Sequence, residues 1–221
     1  MKVVYARLTG ISASFRIAYT ISGDQLSLTV PPYSTILGML TSAKDEEITP
    51  DQTRIGMRYT YQGISRDLEK FHRWKRNDSG RYGYNKTNIR KREMHIFPEL
   101  ELVLTNLEFK EIVDRPRRPL FLGRSQDLVA VEELKVTDAV PVEKGKLRGT
   151  LLPIELGQPL PANGMIHNLP EHFDYQEGRV RRPQNIRTFL ALPQEEQEVQ
   201  FPDLYCLPEL GHRVFYVHRW K

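Results

Sequence analysis

The sequence predicts an α+β fold: a strand–helix–strand opening, a long basic hairpin inserted before the next strand, and a mainly β second half. Three observations predict it. Apolar spacing changes from strand alternation to a helical period once, over residues 35–44. Two strand-like stretches bracket a window dense in Lys and Arg at residues 66–95. From Pro153 onward, short apolar stretches and frequent Pro replace any helical pattern.

The elements follow in order. Val3–Thr9 is rich in β-branched and aromatic residues and is closed by Gly10, the mark of a strand. Pro31-Pro32 interrupts the chain, and Ser34 is placed to cap a helix over Thr35–Lys44. Ile36, Leu37, Leu40 and Ala43 fall on one face of that helix, which therefore packs on a sheet; Gly38 reads as a close helix–sheet approach. Arg54–Gln62 alternates polar residues with Ile55, Met57, Tyr59 and Tyr61, a half-exposed strand. Asn77-Asp78-Ser79-Gly80 is a turn signal at the centre of the basic window, so that window becomes a projecting hairpin. Leu100–Leu104, Leu120–Leu122, Val129–Val136 and Leu151–Leu156 are short strands, His167–Arg187 is a long ordered loop, and Arg213–Trp220 is a final strand. A ferredoxin-like α+β unit has this opening order. The expected organisation is such a domain over 1–125, with its hairpin at about 64–97, followed by a mainly β region over 126–221.

Composition bounds the function. With 221 residues, 39% apolar and 10% aromatic, the chain can bury a core and is not globally disordered. No apolar run approaches the roughly 20 residues of a spanning helix, so no membrane is expected. Arg7 arrives before a signal-peptide apolar region could form, and the lone Cys206 cannot make an internal disulfide; the expected compartment is the cytoplasm. The net charge of +4 is unevenly spread. The window 66–95 holds ten basic and four acidic residues, a net of +6, and the other residues carry 22 against 24, a net of −2.

That window interleaves Arg73, Lys75, Arg76, Arg81, Lys86, Arg90 and Arg92 with Trp74, Tyr82 and Tyr84. Cations attract phosphates, and exposed rings stack on unpaired bases, so the combination suits single-stranded or looped RNA. Read blandly, it is a solvated arm with apolar anchors. Arg115, Arg117 and Arg118 form a second cluster before Leu122-Gly123-Arg124-Ser125, and Arg179, Arg181, Arg182 and Arg187 a third. Whether the clusters converge depends on the fold.

Other chemistries find little support. Gly10–Arg16 lacks a dinucleotide fingerprint, and Lys144-Gly145-Lys146 lacks the Gly and Ser/Thr of a phosphate loop. Cys206, His212 and His218 do not make a thiolate-rich zinc set, so neither metal nor cofactor is implied. Metal-independent RNA cleavage is the competing reading, with His72, His95, Tyr82, Tyr84 and Lys86 as candidate acid–base and charge-stabilising groups.

Ser14-Phe15-Arg16, Pro31-Pro32-Tyr33-Ser34-Thr35-Ile36-Leu37-Gly38-Met39-Leu40 and Phe121-Leu122-Gly123-Arg124-Ser125 resemble, in sequence and order, the CRISPR-associated Cas-five family. The resemblance is good over about residues 1–135 and is nearest to the type I-B branch. It implies a RAMP-superfamily, RRM-related domain with a hairpin thumb. Such a subunit caps the 5′ handle of the crRNA in Cascade, against the backbone subunit (Cas-seven) and the large subunit (Cas-eight), and meets target DNA through the assembled complex. Phe15, Arg16, Gly123, Arg124 and Ser125 are the positions that the resemblance marks as RNA-contacting. One branch of the family cuts precursor RNA itself. Only Tyr84 and Lys86 offer a local match to that branch's Tyr–Lys–His set, so the chain is expected not to be an enzyme. A generic RNA-binding protein outside CRISPR systems is the blander alternative.

Overall fold

A computed structural model describes residues 1–17, 24–176 and 180–221. In chain order the first half holds β1 (Lys2–Gly10), β2 (Ser12–Ala13), α1 (Tyr33–Lys44), β3 (Ile55–Thr60), β4 (Gly63–Arg76), β5 (Tyr82–Ile96), β6 (Glu99–Leu104) and α2 (Phe109–Asp114). Next come β7 (Val129–Asp138), β8 (Val140–Leu147), β9 (Leu151–Pro153), β10 (Met165–Gln176), β11 (Val180–Ala191), β12 (Gln197–Leu207) and β13 (Arg213–Tyr216).

The central sheet runs β3-β6-β1-β7, every neighbour antiparallel. Thus β7, which follows residue 125, joins the strands of the first half. Val4, Ala6 and Leu8 point into the main core with Leu100, Leu102, Leu104, Ile55, Met57 and Tyr59. Val3, Tyr5 and Val103 point the other way, under Leu207, Phe215 and Val217. Both faces are therefore covered. This corrects the expected half-exposed strand at 54–62: the polar alternate Arg58 is buried too, held by Glu101 (3.4 Å) and Glu196 (2.7 Å) with Phe215 beneath its guanidinium. Burial with paired charges produces the same alternation as solvent exposure.

Helix α1 starts earlier than Ser34 would set it. Pro32, extended at ψ 149°, is the N-cap, and its carbonyl accepts from the Thr35 and Ile36 amides at 2.9 and 3.3 Å. Ser34 lies inside the first turn. Gly38 is not explained by close approach: a Cβ there would meet nothing within 4 Å, and the residue borders a cavity of about 50 Å³ shared with Thr41, His172 and Phe173.

Several other expectations change. Leu120–Leu122 makes only one bridge, Phe121 to Leu128, and is apolar because Leu120 and Leu122 are core residues. Leu151–Leu156 shortens to β9, and the final strand ends at Tyr216. Within His167–Arg187, the described residues 167–176 and 180–187 are strand, not loop. They make most of the antiparallel β10–β11 pair, and β9 pairs along the end of β11. Pro170 and Pro183 read as strand breakers but sit where prolines are tolerated: β10 is an edge strand, and β9 covers β11 only at 189–191. The hairpin is fastened to the body by Glu171, fully buried, which accepts from Arg187 (2.8 Å) and shares a hydrogen bond with His218 Nε2 (2.9 Å).

Candidate nucleic-acid interface

Strands β4 and β5 pair from Gly63↔Ile96 at the root to Arg76↔Tyr82 at the tip. At about 3.3 Å per residue the hairpin is roughly 45 Å long. Its turn is the expected one: the Asn77 side chain accepts from the Ser79 hydroxyl and the Arg81 amide, and Gly80 takes φ +80°. One irregularity, between Arg73 and Trp74, leaves Asn85 out of register and sets the faces of the tip.

The faces differ. Trp74 and Tyr84 meet edge-to-face at 6.2 Å, His72 lies 6.1 Å from Tyr84, and Tyr82 follows on the same side by alternation. Trp74, Tyr82 and Tyr84 are 62%, 71% and 58% exposed, as stacking rings must be. Arg73, Lys75 and Lys86 alternate to the other face, where Arg90 rests 5.4 Å above the Phe71 ring. Arg76 donates to the Gly80 carbonyl, and Arg81 is exposed beside it. Among the described residues, no ion pair neutralises Arg73, Lys75, Arg76, Arg81 or Lys86.

At the root lies a cleft of about 530 Å³ that unites segments far apart in sequence. Ser14–Ile17 leaves β2 along one side; Pro32, Ser34 and Thr35 bring the start of α1, and Gly123-Arg124 the mid-chain loop. Arg92 descends from the hairpin, and Asn168, Leu169, Pro170 and Phe173 close the wall from β10. The lining is mainly apolar and includes the cations Arg16, Arg92 and Arg124, a mixture that suits a nucleobase and its phosphate.

The predicted residues take distinct places here. Arg16 is exposed, and Phe15 is not: 3% exposed, its ring packs edge-on against Tyr59 (5.4 Å) and His95 (5.8 Å), shaping the cleft from within. Gly123 is required where it stands, since it holds φ +97° and a Cβ would meet the Ser14 carbonyl oxygen at 2.2 Å. Ser125 is exposed on the same loop. Arg124 is tied by its Nε and Nη2 to the two oxygens of buried Asp127, both at 2.8 Å, and by Nη1 to Glu69 at 2.8 Å. Asp127 also accepts from Ser12 (2.6 Å). Burial pushes the Glu69 carboxyl up, but hydrogen bonds from Arg92 and Arg124 outweigh it and hold the group below its ordinary range.

The other basic clusters do not join. Arg117 and Arg118 sit by Ala43 and Asp45, at the far end of α1 from the cleft, about 18 Å away along a twelve-residue helix. Arg181 and Arg182 are exposed on β11, Arg187 is bound to Glu171, and Arg179 lies outside the described residues.

The acid–base candidates are divided. His95 is 1% exposed at the root, stacked on Tyr61 (3.9 Å) and 2.8 Å from the Tyr59 hydroxyl; burial pushes its pKa down to about 4. It is neutral and shielded at pH 7. His72 and Tyr84 both hydrogen-bond Thr87 near the tip, while Lys86 pairs with Arg73 across the other face. Among the described residues, no three His, Cys, Asp or Glu side chains gather as a metal site. What the sequence hid is the β10 wall, disguised by its prolines, and the two carboxylates. Asp127, three residues after Arg124, was the one legible sign of that tie.

A sheet-rich α+β body carrying a two-faced cationic hairpin, with a mixed cleft at its root, is the class of protein that fold and site define. That fold recurs in a chain of a CRISPR RNA-guided surveillance complex (18% identity, 90% of this chain and 91% of that one, TM-score 0.58). It recurs in a CRISPR protein from Archaeoglobus fulgidus (14%, all of both chains, TM-score 0.52) and in a type III-B Cmr-beta complex bound to cognate target RNA (13%, 90% and 86%, TM-score 0.52). The chain belongs to the family of CRISPR-associated protein (Cas_Cas5), which matches residues 3–194 and so extends well past the region where the sequence resemblance was clear. No curated protein matches it in sequence.

Proposed function

We propose that this chain is a non-catalytic RNA-binding subunit of a type I CRISPR Cascade surveillance complex, of the I-B branch, and that it caps the 5′ handle of the crRNA. The observation that carries the reading is the convergence of Ser14–Ile17, Pro32–Thr35 and Gly123-Arg124 on one cleft beneath the cationic hairpin. The strand order β3-β6-β1-β7 with α1 and α2 between strands supports a ferredoxin-like RAMP body, and the hairpin is then its thumb. Unpaired handle bases stack on Trp74, Tyr82 and Tyr84 or enter the cleft, while Arg16 and the hairpin cations meet phosphates. Backbone (Cas-seven) and large (Cas-eight) subunits are the protein partners, target DNA is met through the whole complex, and the compartment is the cytoplasm. The separation of His95 from the tip groups supports a binding role without cleavage.

Complex assembly tests the reading. Arg16→Ala should lose most of the bound crRNA after co-expression with the other subunits; retention of crRNA and filament at the wild-type level would contradict it. Incubating the purified chain with cognate repeat RNA and EDTA tests the non-catalytic part. No specific product is expected, and cleavage abolished by Tyr84→Phe would overturn it.

A further inference from the structure

Two of the three arginines at the cleft, Arg92 and Arg124, are already engaged. Arg92 Nε and Arg124 Nη1 converge on a single atom, Glu69 Oε1, at 2.6 and 2.8 Å. The two carboxylates in this cluster differ in kind. Asp127 has no exposed side-chain surface, sits on the same loop as Arg124, and also accepts from Ser12 and from the Arg124 amide. Glu69 stands on the cationic face of the hairpin, with 18% of its side chain exposed; it accepts a hydrogen bond from Arg124 and is ion-paired with Arg92. Asp127 is a permanent tie and Glu69 an exchangeable one.

An RNA phosphate oxygen in the place of Oε1 would meet the same two guanidinium cations, which pair with carboxylate and phosphate alike. Asp127 would keep Arg124 aimed at that point after Glu69 had gone. We propose that Glu69 is a built-in counter-anion, standing in the free chain where a backbone phosphate of the bound RNA stands in the complex. RNA binding then exchanges one anion for the other. The exchange removes two ion pairs, so an RNA holding only that phosphate gains little. An RNA that also fills the cleft and stacks at the tip gains enough to displace Glu69. Glu69 is thus a specificity-determining residue that raises the threshold for non-cognate RNA. This rests on the RNA-binding reading above.

The test is a salt titration of the full-length chain with a single-stranded RNA carrying the cognate 5′ handle. Glu69→Gln should bind about three- to tenfold tighter, as expected for removing one negative charge near a phosphate. Its log–log salt slope should steepen by about 0.7, the increment for one further unneutralised cation on a single strand. Adding Arg124→Gln should erase the gain. In the wild-type chain, the Glu69 carboxyl carbon should move toward its free-carboxylate NMR shift as RNA saturates, a readout independent of how well any variant folds. An unmoved Glu69 signal, or a folded Glu69→Gln chain binding no tighter and with an unchanged slope, would overturn the proposal while leaving RNA binding intact. Failure of the wild-type chain to bind the RNA would instead overturn the functional reading, and this proposal with it.

Discussion

The tip and the root of the β4–β5 hairpin are built from the same residue types and do opposite things with them. At the tip, Arg73, Lys75, Arg81 and Lys86 face solvent and the aromatic rings lie open. At the root, Arg92 and Arg124 are shielded and paired with Glu69 and Asp127, and His95 is enclosed by Tyr59, Tyr61 and Phe15. The same charge therefore carries different meanings. A solvated cation is available to a ligand at the cost of its hydration, whereas a paired one must first give up its partner.

If the buried pairs at the root also hold the fold while the open tip serves RNA alone, mutations should separate the two. The largest expected effect is Asp127→Asn, which leaves the Arg124 guanidinium short of its buried partner. Urea unfolding should show a loss of about 3 kcal/mol, the scale for breaking a shielded ion pair. A stability change within experimental error would erase the distinction between root and tip.

Next comes pH. Folded His95 does not take up a proton until about pH 4, whereas in the unfolded chain a His does so near 6.5. Protons therefore favour unfolding in that window. Stability should be complete above pH 6.5 and decline by about 2–3 kcal/mol toward pH 4.5, through this residue alone. The buried carboxylates held low by arginines, Glu69 among them, add their losses only at lower pH. His95→Gln should reduce the decline between 6.5 and 4.5, leaving the part owed to His167 and His218, which burial also holds below the ordinary imidazole value, and an unchanged profile would assign it all elsewhere. The smallest stability effect belongs to the tip. Trp74→Ala should change the free energy of urea unfolding by less than about 0.5 kcal/mol, as exposed sites do, yet weaken handle binding about tenfold through one lost stack.

Much of this was legible in the chain. β1, α1 and the hairpin with its turn announced themselves through alternation, helical spacing and Asn77–Gly80. The exposed tip residues followed from composition, because charge interleaved with aromatics has few places to go but outward. The root did not follow, for a physical reason: burial by pairing imitates exposure. Arg58 and Arg124 look in sequence like solvated cations, and only the fold shows the carboxylates that reach them from Glu101, Glu196, Asp127 and Glu69. The β10 wall was hidden by a positional effect, since Pro170 and Pro183 are tolerated only because of which strand edges are free. Phe15 shows the reverse case, a residue that lines the cleft with its ring turned into the core.

The central claim is that the handle lies in the cleft at the hairpin's root and against the aromatic face of its tip. Photo-crosslinking a handle-bearing RNA to the full-length chain, with the crosslinked peptides mapped by mass spectrometry, tests it most directly. Adducts are expected in the segments around Arg16, Asn168–Phe173 and Trp74–Tyr84. Adducts confined to the separate large groove lined by Ile154, Leu156, Phe201 and Trp220 would contradict it.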